Sequence, residues 1–406
     1  MPALPPEQWP SAGLTQDLIS AWTDLENRLS RLLRTPHEAD DFVHDLLFIE
    51  QHMVALLETD ADGSLYLMLQ LAASSNVGYS ASHALVCASL CQLVAPAQVD
   101  DDGLVRSLNR AALTMNIAMT QVQDDLALQA GQPTPPQKWQ IDQHASAGVA
   151  LLESLGVSDP VWLEMVARHH DAADLQADDS SPITVLTRVL MATDRYTALI
   201  SPRETRGGRC ITDSGRNVVA RRGNAPDPVG HALLRTVGIC PPGTFVRLQD
   251  QSVAVVLRRT DEPGAPLVAP VMDADGHPLP DPVLVHTNAE PHQIEAALVT
   301  RSVRVRLNHA RLLQMAALLY ITGGLANPFA PLICIPVIIS FASQPNRHSI
   351  ALFVTALAFI TLLAFPSSPL LQAEAKIGVL AGSLISGLLG YFTLRWAKRD
   401  SGGNVR

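Results

Sequence analysis

Five side chains of metal-binding types are spread along a part of the chain that has helical periodicity. They are His83, His144, His169, His170 and Asp194. Imidazole and carboxylate groups suit iron, manganese and similar ions. Residues so distant in sequence can meet at one ion only if each lies on a different helix that faces a common cavity. The first question is therefore whether the surrounding chain builds such a bundle.

Residues 111–119 form a mainly apolar segment that has Asn116 near its centre. On both sides of this segment, apolar residues recur at helical spacing. This periodicity predicts a first helix from about Thr15 to Thr35, where Pro36 ends it. The further predicted helices are 38–57, 64–73, 80–95, 100–126, 137–155, 158–170 and 181–200. The acidic turn Asp60-Ala-Asp62-Gly63 lacks the later ligands of a calcium loop, so we interpret it as a helix cap.

The apolar period changes to two after about Pro241. Residues 244–248 and 253–259 alternate around a polar tetrad and predict a β-hairpin. Residues 267–272 and 283–286 predict two more strands around the favoured turn pair Asp275-Gly276. We expect a small β module that packs on the helical domain.

Composition narrows the class of protein. The formal net charge of −10 argues against nucleic-acid binding, which needs a basic surface. Five cysteines form no C-x-x-C pair, and the scattered odd count fits a reducing cytoplasm. Cys87 and Cys91 lie four residues apart on one apolar helix face, which favours core packing. Residues 1–10 have neither the basic region nor the apolar core of a cleavable signal peptide.

The high apolar fraction, 47%, is concentrated after residue 310. Three uncharged blocks follow, 312–342, 350–365 and 377–394, and the last two approach the length of about 20 residues that a membrane helix needs. The first block contains Gly and Asn-Pro turn signals and suggests a hairpin of two short spans. Four spans place every basic cluster on the cytoplasmic side, whereas three spans leave the last one outside, so we favour four. The absence of charge inside the blocks argues against an ion transporter.

From about Asn76 to Arg206 the chain resembles the HD-GYP branch of the HD phosphohydrolase superfamily. The metal-ligand positions of that family are matched in order by the four histidines, with His144 in a His-x-x-x-Gly element that ends at Gly148, and by Asp194. The segment Ser201-Pro-Arg203-Glu-Thr-Arg206 is similar to the closing motif of the family. The resemblance implies a helical bundle, a metal site, and hydrolysis of cyclic di-GMP by a metal-bound hydroxide that attacks phosphorus.

The chain departs from the family pattern at its centre. Met115 and Asn116 stand where the family has its His-Asp pair, Met119 stands in place of a lysine, and the Gly-Tyr-Pro motif is absent after His170. Asn116 is neutral where an aspartate would bridge two ions, and the thioether of Met115 is unsuited to such metals. Two outcomes stay open: the remaining groups hold one iron or manganese ion, or the cavity holds no ion and is hydrogen-bonded internally.

Other candidate residues have competing interpretations. Arg203 and Arg206 could bind phosphate, or could form a solvated basic turn. His170 and Asp171 could instead be a surface pair at the C-terminus of a helix, where imidazolium is favoured. Trp162 is expected in the core rather than at a ligand.

The sequence thus predicts a mainly α protein: an HD-type helical bundle, then a small β module and C-terminal transmembrane helices. The predicted segments are an N-terminal helical region (1–63), the degenerate HD-GYP domain (64–207), a linker (208–240), the β module (241–290), a basic juxtamembrane segment (291–311), the transmembrane region (312–396) and a cytoplasmic tail (397–406).

The predicted function is that of an inner-membrane signalling protein of bacterial type, with its soluble domain in the cytoplasm. We expect it to bind cyclic di-GMP, a related nucleotide or a partner protein without efficient hydrolysis. The alternative is an active cyclic di-GMP phosphodiesterase with a variant metal site. A third hypothesis is a membrane sensor whose spans receive the signal.

Overall fold

The computed structural model describes residues 12–74, 78–171, 181–200, 228–262, 264–280, 282–298, 303 and 305–321. Residues up to Gln314 form one compact unit, and residues from Met315 onward form a second. The description below concerns the first unit. Nearly all of the predicted transmembrane region lies outside the described residues, so the spans stay predictions.

The described part of the first unit begins with a bundle of nine α-helices. They are α1 (Ala12–Arg34), α2 (Phe42–Thr59), α3 (Ala61–Ser74), α4 (Tyr79–Val94), α5 (Asp102–Thr114), α6 (Thr120–Leu128), α7 (Pro135–Ser154), α8 (Pro160–Arg168) and α9 (Pro182–Ile200). The predicted helical content of this part of the chain is therefore confirmed. Aspartates cap the N-termini of α2, α5 and α8, where each side chain accepts backbone N–H groups of the first turn.

Helix α4 lies at the centre of the bundle, and almost all its residues are buried. Within the described part of the chain, Tyr79–Ala97 is the one stretch with the length and apolar composition of a membrane span, and 78% of it is buried inside the protein. The Asp124 carboxylate fixes the start of α4, because it accepts the Ser80 N–H at 2.8 Å and binds the Arg34 guanidinium at 2.6 Å. This network joins α1, α4 and α6.

The prediction of one continuous helix over 100–126 is wrong. Helix α5 ends at Thr114, a turn follows at Met115 and Asn116, and residues Ile117–Met119 form a short 3₁₀ helix before α6. Asn116 has φ −106° and ψ 12°, outside the helical region. Asn is a weak helix former because its side chain competes for backbone hydrogen bonds. The break separates the central apolar segment into two helices.

Two elements were not predicted. Helix α10 (Pro228–Val237) lies inside the predicted linker 208–240 and buries Val229, Leu233 and Val237. The other is strand β5 (Ile294–Leu298), whose sequence Ile-Glu-Ala-Ala-Leu has no alternating pattern and few strand-forming residues. It becomes a strand because it pairs with the edge of the sheet.

The β module is one antiparallel sheet in the order β4-β3-β2-β1-β5. Strands β1 (Phe245–Leu248), β2 (Val253–Arg258), β3 (Leu267–Met272) and β4 (Val285–His286) confirm the predicted hairpin and the two further strands. Its apolar core consists of Val246, Leu248, Ala254, Val256 and Val268. The last described helix is α11 (His309–Ile321).

Two ion pairs hold the β module on the bundle, as the expected packing requires. The guanidinium of Arg258 donates to both carboxylate oxygens of Asp60 at 3.0 and 2.8 Å, and Arg259 binds Asp62 at 2.5 Å. Asp60 also accepts the Gly63 N–H, which confirms the predicted helix cap. Gly243 also approaches α3 closely: its φ is +93°, and a Cβ there would lie 2.9 Å from Leu69.

Removing the charge of Arg258 should loosen this interface. We expect Arg258→Met to lower the free energy of unfolding by about 2–3 kcal/mol, because the partly buried Asp60 carboxylate loses a two-pronged charged partner. Denaturant unfolding of the full chain measures the loss. The control is Arg247→Met, since Arg247 is exposed on the neighbouring strand β1. Equal stability of the two variants would contradict the assigned role of the ion pair.

Candidate metal centre

The first part of the candidate site joins α4 to α9. His83 is 2% exposed, and its ring stacks on Tyr79 with 5.4 Å between ring centroids. Its Nε2–H donates to Asp194 Oδ1 at 2.8 Å, while its Nδ1 has no hydrogen-bond partner among the described residues. Asp194 remains 19% exposed, so this pair reaches the protein surface through the carboxylate.

The electrostatic surroundings keep Asp194 ionised. Burial by itself raises the pKa of this carboxyl, but the hydrogen bond and charge of His83 oppose it, together with the charges of His169 and His170. The net result lowers the pKa of Asp194 to about 2. At neutral pH the bundle therefore presents one carboxylate to the space beside His83.

The second part of the site joins α7 to the end of α8. The Nδ1–H of His144 donates to the Ile141 carbonyl at 2.5 Å, and the Nδ1–H of His169 donates to the Val166 carbonyl at 2.7 Å. These bonds place the proton of each neutral ring on Nδ1 and leave a lone pair on Nε2. The two Nε2 atoms face one another at 3.0 Å.

These two lone pairs repel unless a cation lies between or beside them. Burial lowers the pKa of His169 to about 3, assisted by the charge of His170, and burial also lowers the pKa of His144. A shared proton is therefore disfavoured at neutral pH. Metal–nitrogen bonds of about 2.0–2.1 Å at roughly a right angle would separate two ligand atoms by about 3 Å. The donor pair fits a metal ion, and the backbone carbonyls orient the rings as outer-shell partners do.

His170 completes this group although its side chain is exposed. Its ring centroid lies 4.1 Å from that of His169 and 4.9 Å from that of His144. Ligand atoms of the three histidines lie within 4.8 Å of one another. The charge of Asp194 raises the pKa of His144 and of His169 against the effect of burial, so both parts of the site share one electrostatic environment. All five predicted ligands are thus gathered in two adjacent groups.

Three residues that depart from the family pattern lie directly after α5: Met115 and Asn116 in the turn, and Met119 at the end of the short 3₁₀ helix. Met115 is fully buried, Met119 is half-buried, and the Oδ1 atom of Asn116 is buried without a partner among the described residues. Helix α7 packs on this turn at Gly148, where a Cβ would lie 3.9 Å from the Met115 carbonyl oxygen. The turn therefore packs against the helix that carries His144.

Sequence reasoning missed the place of Cys87. Its Sγ atom lies 3.6 Å from His83 Nε2, and its ligand atom is grouped with those of His83 and Asp194 within 4.8 Å. The spacing of four residues on α4 was a signal for this proximity, since such residues share a helix face. By contrast Cys91 contacts Thr193, and Trp162 donates its indole N–H to Thr114 in the core, as expected.

Several predicted features fall outside this geometry. Arg203 and Arg206, the predicted phosphate ligands, lie outside the described residues, as do residues 172–180 after the double histidine.

A surface cavity of about 280 Å³ lies between α1 and α2, and its lining includes Arg28, Asp45 and Phe48 but none of the five predicted metal ligands.

The buried histidines should make the metal-free protein sensitive to acid. The pKa of His169 is about 3 in the folded chain against an ordinary value of 6.5, so the unfolded chain binds this proton more readily. Stability is then full above pH 6.5 and falls as the pH drops toward 3. Asp194 contributes in the same direction only between about 3.8 and 2. We expect His169→Asn to reduce the loss of melting temperature between pH 7 and 4.5 by roughly 5 °C.

The measurement is a thermal melt in the presence of chelator. The exposed His231→Asn is the control and should follow the wild type. Parallel pH profiles for wild type and His169→Asn would show that His169 is not buried in its neutral form.

Comparison with known proteins gives one match that covers more than half of the chain. The chain is 26% identical over 237 residues to a cyclic di-GMP phosphodiesterase of Pseudomonas aeruginosa, a match that covers 57% of this chain and 54% of that protein. The chain thus spans about half the length of this relative. No family model matches the sequence.

Shorter similarities involve other classes of protein. A Na⁺/H⁺ antiporter of Brucella anthropi is 59% identical over 46 residues, which is 11% of this chain and 12% of the antiporter. The sensor histidine kinase RegB of Cereibacter sphaeroides is 41% identical over 65 residues, or 16% of this chain and 14% of the kinase. The longer match, to the phosphodiesterase, supports a link between this chain and the HD and HD-GYP proteins.

Proposed function

We propose that this chain is a cyclic di-GMP signalling protein that binds the nucleotide, or a close relative of it, without hydrolysing it efficiently. The observation that carries the proposal is the pair of Nε2 lone pairs of His144 and His169 that face each other at 3.0 Å. With His170 they form a three-imidazole group that fits one iron or manganese ion. A bound ion would supply a positive charge that attracts a phosphodiester.

The likeness to a cyclic di-GMP phosphodiesterase supports the choice of ligand. Cyclic di-GMP carries two phosphodiesters, so an ion held by the histidine group would have an anionic partner of suitable charge. The ionised Asp194 lies nearby and would position a water or balance the charge of the ion. Arg203 and Arg206 are proposed as further phosphate contacts, on the basis of the sequence motif.

Efficient hydrolysis needs two ions that a bridging ligand holds close together. A two-metal phosphoryl-transfer site stabilises both the attacking and the leaving oxygen, with the two ions about 3.5–4 Å apart. In the family resemblance an aspartate bridges the ions, and here Asn116 has a neutral amide at that position. An amide oxygen carries no charge to hold two cations together. We therefore propose binding as the main activity of the site.

We also propose that the chain is anchored in the inner membrane by the apolar blocks after residue 311, with the bundle in the cytoplasm. This follows from the length of the uncharged blocks and from the basic residues that flank them. A membrane-bound module could pass the nucleotide signal to a partner protein.

The second candidate is an active phosphodiesterase with a variant metal site. It is favoured by the retention of five candidate ligands, four histidines and one aspartate, in two adjacent groups. The two candidates predict the same binding but differ in turnover.

Nucleotide binding can be measured by calorimetric titration of the full-length protein in detergent with cyclic di-GMP, alongside its metal content. We expect the wild type to bind and His169→Ala to bind at least about 10-fold more weakly, because a metal ligand is lost. The exposed His231→Ala is the matched control and should bind as the wild type does. Absence of binding by metal-loaded wild type would sink the proposal.

Restoring the family pair tests the assignment of the turn after α5. The double change Met115→His with Asn116→Asp should tighten manganese binding by at least about 10-fold, since it adds an imidazole and a bridging carboxylate. Equilibrium dialysis with manganese measures the effect. The control Asn109→Asp adds a carboxylate elsewhere in the bundle, where Asn109 bonds to Gln92, and should leave manganese affinity unchanged. Unchanged affinity in the double variant would show that the turn does not face the site.

A further inference from the structure

Cys87 lies one helical turn after His83 on the same face of α4. Its Sγ atom is 3.6 Å from His83 Nε2, and the Asp194 Oδ1 atom is 2.8 Å from that same nitrogen. The three ligand atoms lie within 4.8 Å of one another. The bundle thus brings a sulfur, a nitrogen and an oxygen donor to one place, beside the three-histidine group.

We propose that Cys87 is a metal ligand and that His83, Cys87 and Asp194 form a second cation position of the zinc class. The inference rests on the proposed function, because it extends the same metal centre. On coordination the Sγ–H bond breaks, its proton passes to solvent, and a thiolate–metal bond forms without transfer of electrons. The ion keeps its charge of +2 throughout.

The separation of sulfur and nitrogen suits one zinc ion. Zinc–sulfur bonds of about 2.3 Å and zinc–nitrogen bonds of about 2.0 Å, set at a tetrahedral angle, place the two ligand atoms about 3.5 Å apart. The observed separation is 3.6 Å. The shorter distance between Asp194 and His83 reflects their hydrogen bond, which the ion would replace. The Nδ1 of His83, which has no hydrogen-bond partner in the described part of the chain, is then available to carry the ring proton.

Charge balance also favours a cation at this position. A thiolate and a carboxylate together neutralise a divalent ion, which lowers the cost of holding the ion in a buried place. His144, His169 and His170 offer only uncharged imidazoles when neutral. Soft thiolate sulfur selects zinc over manganese, so the two groups would prefer different metals.

The protonation of the Cys87 thiol before a metal binds agrees with the proposed loss of its proton on coordination. Burial raises the pKa of Cys87 well above its ordinary value, and the charge of Asp194 raises it further. The group is therefore a thiol until a cation arrives, whose charge then favours the thiolate. The partial exposure of Asp194 offers the ion a path of entry.

Cobalt(II) reports directly on this ligand, because thiolate coordination gives an intense near-ultraviolet charge-transfer band that histidine and carboxylate ligands do not give. The full-length protein, freed of metal, would be titrated with cobalt(II) and then with zinc as competitor. We expect the band in the wild type, its loss in Cys87→Ser, and its retention in Cys91→Ser. Cys91 is the matched control, because it is buried on the same helix but contacts Thr193. Zinc affinity should fall at least about 10-fold in Cys87→Ser.

The possible failures are distinguishable. Cobalt bound without the band, or a band that persists in folded Cys87→Ser and Cys87→Ala, overturns the role of Cys87 and leaves the proposed function intact. No binding of cobalt at all overturns both the second cation position and the metal centre on which the proposed function rests. Circular dichroism of each variant confirms that it is folded before the band is compared.

Discussion

The candidate metal centre depends on one contact, in which the lone pairs of two buried, neutral imidazoles face each other. His144 and His169 each give their Nδ1 proton to a backbone carbonyl, and this leaves two Nε2 acceptors only 3.0 Å apart. Because neither Nε2 carries a proton while both rings are neutral, the two atoms cannot form a hydrogen bond with each other. A cation resolves the conflict, and the rest of the site is arranged around that requirement.

The bundle maintains this arrangement by holding the candidate ligands on four neighbouring helices or directly after them. Helix α4 carries His83 and is fixed at its start by Asp124, α7 carries His144 and α9 carries Asp194, while His169 and His170 lie in the turn that follows α8. The β module follows the bundle helices in the sequence. It is attached to the bundle through the ion pairs of Asp60 and Asp62. The candidate ligands therefore all belong to the helical bundle, and the two ion pairs of the β module contribute to stability rather than to metal chemistry.

Much of this could be predicted from the sequence. Apolar periodicity located most helices and the β-hairpin, and the family resemblance singled out five candidate ligands, which the structure brings together in two groups. Periodicity failed where a polar residue could change the local backbone, as at Asn116, and where a partner strand decided the structure, as at Ile294–Leu298. Periodicity also could not single out Cys87, because Cys87 and Cys91 lie on one face of α4, and only the fold shows that Cys87 lies beside His83 while Cys91 contacts Thr193.

The central claim is that the chain binds cyclic di-GMP but lacks the bridged pair of ions that hydrolysis needs. The most direct test is to incubate the metal-loaded, full-length protein with an excess of cyclic di-GMP and follow the linear dinucleotide product by chromatography, with iron, manganese and zinc each supplied in turn. We predict bound nucleotide with no sustained release of linear product. Repeated turnover that disappears in His169→Ala would contradict the account and favour an active phosphodiesterase.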